Sequence, residues 1–143
     1  MIDKLLNSLF GPEPKPLPEP DARLALSALL VRIARSDGDY AASEITAIDS
    51  ALAARYGLNA EQTEALRREA EALEAQAPDT VRFTRAIKHS VDIDARIAVV
   101  EAAWSVVLAD GQRADEEDAL MRLVASLLGV SDRDSNQARL NAG

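Results

Sequence analysis

Residues 29–58 read LLVRIARSDGDYAASEITAIDSALAARYGL, and residues 102–130 read AAWSVVLADGQRADEEDALMRLVASLLGV. In each, a nearly all-apolar segment ends in Ser or Ala and an Asp-Gly pair follows. Five unlike residues then lead to a Glu that opens an amphipathic segment closing at Gly. Asp37 and Glu44 stand as far apart as Asp110 and Glu117, and from Glu to the closing Gly the two stretches differ by one residue. Matched spacings with unlike fillers point to a duplicated helix–Asp-Gly–helix unit. One copy alone could not bury its apolar helix, whereas two copies packed together bury both. The stretch therefore predicts a pseudo-two-fold repeat around two buried central helices.

Upstream of the first Asp-Gly pair, Asp21 is an expected N-cap for a first helix over residues 22–36. Its Leu24, Leu26, Leu29, Leu30, Val31 and Ile33 cover most of the circumference. A second helix over 42–56 carries Ile45, Ile48 and Leu52 on one face, and Gly57 supplies the left-handed cap. The third, 60–76, is the most polar: Leu66, Ala70 and Leu73 face inward, and Glu61, Arg67, Arg68 and Glu71 face water. Pro78 breaks it, and a short fourth helix begins at Asp79 with Val81, Phe83 and Ile87. The fifth, 94–109, is apolar nearly all round. The sixth, 115–128, uses Leu120, Leu123, Val124 and Leu127, and a short polar last helix after Ser131 frays toward its end. The chain is thus expected to be all-α, with about seven helices.

Residues 1–20 read as an appendage to a helical domain of residues 21–143. MIDKLLNSLF has Ile2, Leu5, Leu6, Leu9 and Phe10 at helical spacing, and residues 12–20 (PEPKPLPEP) favour extended backbone and a semi-rigid linker. The segment docks on the domain, stays disordered or meets a partner; a helix this short holds a bilayer weakly, so at most weak or indirect membrane association is expected.

The 143 residues are 48% hydrophobic but only 3% aromatic, so the core must be aliphatic. A net charge of −8 argues against non-specific nucleic-acid binding, which needs a basic face, and suits a cation or a basic partner. The absence of cysteine removes disulfides, thiolate metal sites and a cysteine nucleophile, and fits the cytoplasm. No signal peptide or apolar run of membrane-spanning length is recognisable.

The loop acids have two readings. As helix punctuation, Gly38 and Gly111 close the preceding helices, while Glu44 and Glu117 sit near the third position of the next, reaching back to an N-cap N–H. As a cation site, Asp37, Asp39 and Glu44 in one loop and Asp110, Asp115 and Glu117 in the other supply hard oxygen ligands. The loops are too short for an EF-hand, so such an ion would keep several waters. His89, the only histidine, is structural or solvated, and Trp104 is a core residue. Ser27, Ser36 and Ser43 have no histidine nearby in sequence, Glu116 and Glu117 point apart, and no phosphate loop is present. The chain is not expected to be an enzyme.

The strings ARSDGDYAASEI (34–45) and RIAVVEAAWSVVLADGQRADEEDALMRLVASLLGVS (96–131) resemble the tellurite-resistance TerB-like domain family. The likeness covers about residues 21–133 and is tighter in the second copy, since Asp39 and Tyr40 stand where Gln112 and Arg113 stand later. It implies about seven helices around a pseudo-symmetric core. It also implies suspected metal binding at positions matching Asp37, Glu44, Asp110 and Glu117, with Asp39, Asp115 and the weaker Asp118 as local additions. The expected function is a cation-binding interaction module in a tellurite-type stress response, with Ca²⁺ the leading ion and a protein partner. The alternative is an interaction scaffold whose acids only cap helices.

Overall fold

The computed structural model describes residues 19–36, 38, 40–76, 80–109 and 115–142, with backbone only at 19–20, 82–83 and 115–117. Seven helices account for most of these residues: α1 (Glu19–Arg35), α2 (Ala42–Tyr56), α3 (Ala60–Gln76), α4 (Thr80–Ser90), α5 (Ile93–Val107), α6 (Asp115–Leu127) and α7 (Asp132–Ala142). No strand occurs among the described residues, and none of their helices is long and apolar enough to cross a membrane.

The two helices that are apolar on nearly every side occupy the centre. In α1, Ala25, Ala28, Leu29, Val31, Ile33 and Ala34 are wholly buried, because α2, α3, α4, α5 and α6 all pack against it. In α5, Val100, Ala103, Val106 and Val107 are wholly buried, with Trp104 nearly so, under α1, α2, α6 and α7. A helix apolar all round has no face to offer water, so only enclosure satisfies it. Each buried Leu, Ile or Val contributes roughly 1.5–3 kcal/mol relative to exposure. Two polar residues drawn into the core bond within their own helical turns: Ser27 Oγ donates to Arg23 O at 2.8 Å and Thr63 Oγ1 to Asn59 O at 2.8 Å.

Helix ends follow local chemistry. Asn59 and Gln62 form a reciprocal capping box on α3, with Gln62 N donating to Asn59 Oδ1 at 2.8 Å and Asn59 N to Gln62 Oε1 at 3.0 Å. Asp92 caps α5 through Ala95 N at 2.9 Å, and Ser131 caps α7 through Asp134 N at 3.1 Å. At the other ends, Gly57 and Gly129 adopt φ of 64° and 73°. The residue after each reaches back five positions, Leu58 N to Ala53 O and Val130 N to Ala125 O.

Several sequence expectations need correction. α1 starts at Glu19, so Asp21 stands in its first turn and does not cap it, and Glu19 and Pro20 are helical. Proline is tolerated there because the first N–H groups of a helix have no partner within it. The rest of the appendage lies outside the described residues, as do Asp79 and the side chain of Phe83. Val81 and Leu123 are exposed, at 49% and 45%. The inward face of α6 keeps Val124 as expected and adds Met121 and Ala125, with Leu128 just past its end, a three- and four-residue stripe. α7 runs to Ala142 and buries Ser135 and Ala138 against its neighbours, so packing rather than composition sets its length.

Candidate functional site

The first Asp-Gly loop is held at both ends. On its entry side, Ser36 N and Oγ both donate to Ile33 O, and Gly38 N donates to Arg35 O at 3.0 Å. Gly38 has φ of 83°, a conformation that L side chains rarely adopt. On its exit side Ala41 is the N-cap of α2 and has no acceptor in its side chain. Glu44, third in the helix, takes over: its Oε1 accepts from Ala41 N at 3.3 Å, and the whole side chain is buried. The capping box is thus half made, by the glutamate alone.

Beside this loop lies a network that sequence reasoning missed. Tyr40, at the loop exit, donates its hydroxyl to Glu71 Oε2 on α3 at 2.7 Å. Arg67 reaches the same carboxylate oxygen at 3.1 Å through Nη1, and Asp49 Oδ1 on α2 at 2.7 Å through Nε. The Arg35 guanidinium lies 4.9 Å from the centre of the Tyr40 ring and 2.9 Å from Glu74 Oε2. Arg32 donates to Thr80 Oγ1 at 3.1 Å and sits 3.6 Å from Glu74 Oε1.

Arg67 and Glu71 were expected to face water. Their side chains are only 14% and 22% exposed, because they clamp the loop exit to α2 and α3. The signal was present: Arg67, Glu71 and Glu74 recur at four- and three-residue spacing, which puts them on one face of α3. Nothing in the sequence, however, showed that Asp49 and Tyr40 would come to meet that face.

Electrostatics favour the protonated forms of Tyr40 and Arg67 in this cluster. Burial holds the Tyr40 phenol well above its usual range, and its bond to Glu71 and that carboxylate's charge act in the same direction. Arg67 and Arg35 oppose the shift without overcoming it. Burial works against the Arg67 charge, but Asp49 and Glu71 outweigh it and raise the guanidinium's pKa. Tyr40 is a neutral donor and Arg67 a fixed cation, so the cluster is built to hold position.

The remaining candidates divide unevenly. Asp37, Asp39, Asp110 and Gly111 lie outside the described residues, and of Asp115 and Glu117 only the backbone is described. Whether the two loops converge therefore also lies outside them. Glu117 is third in α6, as Glu44 is third in α2. Asp118 is half-buried on α6. Among the described residues, no group of three or more His, Cys, Asp or Glu side chains is placed to share a metal ion. His89 is exposed in the last turn of α4. Trp104 is a core residue, with its indole N–H on Ser135 Oγ at 3.2 Å.

A family model described as tellurite resistance protein TerB matches residues 23–140. No curated protein and no solved structure matches the chain.

Proposed function

The chain belongs to the tellurite resistance TerB family, and from that premise we propose that it is a non-enzymatic, cation-responsive interaction module. In this reading Asp37, Asp39, Glu44, Asp110, Asp115 and Glu117 hold one divalent ion, and the domain passes that state to a protein partner in a cytoplasmic, tellurite-type stress response. A donor set of carboxylates alone fits a hard cation, Ca²⁺ before Zn²⁺.

The observation that carries the reading is the anchored first loop. Gly38 N on Arg35 O, Tyr40 on Glu71 and Glu44 on Ala41 N fix the described residues that neighbour Asp37 and Asp39 in sequence. Fixed neighbours lower the ordering cost that ion binding would carry. The matching positions of Glu44 in α2 and Glu117 in α6, and the packing of α1 against α5, support a second copy of the same device.

Ca²⁺ titration of the metal-free protein, followed by its melting temperature, tests this. Binding to the folded state raises Tm by mass action; a Tm unmoved by millimolar ion rejects the proposal.

One observation favours the scaffold alternative. Glu44 Oε1 already accepts the Ala41 N–H, which is the use a capping role requires. The Asp37→Ala, Asp110→Ala double variant separates the readings by sign. Removing mutually repelling carboxylates from an ion site raises metal-free stability and abolishes the ion response. Removing caps lowers stability by about 1 kcal/mol each.

A further inference from the structure

A cavity of about 410 Å³ opens between α5, α6 and α7, apart from the Asp-Gly loop and the Tyr40–Glu71 network. Its volume is within the range of small-molecule sites. Trp104 and Ser135 form its buried side, at 5% and 8% exposure. Arg122 from α6 and Arg139 from α7 line it as well.

Three donors in this wall have nothing to donate to among the described residues. Ser135 Oγ accepts the Trp104 indole N–H at 3.2 Å, so its oxygen is engaged while its own O–H has no acceptor. A buried hydroxyl in that state is costly unless something in the cavity accepts from it. Neither Arg122 nor Arg139 forms an ion pair or hydrogen bond among the described residues.

We propose that this cavity binds a small ligand through an oxyanion group, a carboxylate or a phosphate, received by Arg122, Arg139 and the Ser135 hydroxyl. Guanidinium forks match the paired oxygens of such groups. The hydroxyl adds a donor from the dry side, and the indole supplies an apolar wall. Asp118 and Asp132 also line the cavity, and with the overall negative charge they disfavour a polyanion. The site therefore takes one anionic group on a small molecule, not a nucleic acid.

Trp104 is the chain's single tryptophan, so a change at this cavity is read in its emission without a second tryptophan signal. The full chain is titrated with inorganic phosphate and, separately, with acetate, each against sodium chloride at constant ionic strength. A saturable change with either ion supports the proposal and assigns the phosphate or carboxylate class. The Arg122→Gln, Arg139→Gln double variant should weaken that binding at least tenfold while melting as the parent does. Arg85→Gln with Arg133→Gln, which removes equal charge from exposed positions outside the cavity, should leave it unchanged. The proposal is overturned if neither anion saturates by tens of millimolar, or if both double variants weaken binding alike.

Discussion

At Glu44, one carboxylate makes its half of a capping box with no counterpart from the N-cap side chain. Ala41 offers α2 no side-chain acceptor, and the buried Glu44 supplies the only half of the capping box that chemistry allows. Glu44→Gln keeps an oxygen for the Ala41 N–H and removes the charge. We expect it to fold with stability within about 1 kcal/mol of the parent and to lose the Ca²⁺-dependent rise in Tm that the proposed ion site requires; a full response in this variant would remove Glu44 from that proposal. Tyr40 permits a pH test. Its folded-state pKa is raised, so its contribution to stability is complete below the ordinary phenol value of about 10 and is lost as pH rises through the folded value. The chain has two tyrosines. In Tyr56→Phe, ultraviolet absorbance follows Tyr40 alone and should show its ionisation well above pH 10; a midpoint at 10 would contradict the buried bond to Glu71.

At the scale of elements, the two closing glycines share a conformation but not surroundings. A Cβ at Gly57 would meet nothing within 4 Å, so Gly57→Ala carries only the left-handed backbone penalty of about 1–2 kcal/mol. At Gly129 a Cβ would come 2.9 Å from Arg96 Nη1 and 3.2 Å from Lys88 Cε. That Arg96 nitrogen is itself donating to Leu128 O at 2.6 Å, closing the end of α6. Gly129→Ala should therefore lower the urea midpoint more than Gly57→Ala; equal losses would mean that Arg96 moves aside freely. Helix α3 makes the related point about faces. Its polar side was legible residue by residue, and Glu61 and Arg68 do face water. Arg67 and Glu71 do not, because their partners come from α2 and the loop before it.

For the whole molecule, α1 behaves as the axis about which the other helices are arranged. Leu29 is wholly buried while Leu123 is 45% exposed. Leu29→Ala should cost about 2–5 kcal/mol and Leu123→Ala within about 0.5 kcal/mol, as measured by chemical denaturation. Comparable losses would show that α6 is covered by something beyond the helices described. Helix periodicity, the two apolar segments and the punctuating glycines were written in the local order of residues. The all-α class, the bounds of α2 and α3, the buried faces of α1 and α5 and the left-handed turn at Gly57 accordingly follow from sequence alone. Those properties depend on neighbours within one or two helical turns. Which polar side chains are drawn inward depended on chain segments far apart in sequence. Tyr40 meeting Glu71, Asp49 meeting Arg67, and Arg122, Ser135 and Arg139 around one cavity exist only once helices have packed. An ion pair or a cavity wall is a relation between surfaces, and only the tertiary fold sets the distance between them.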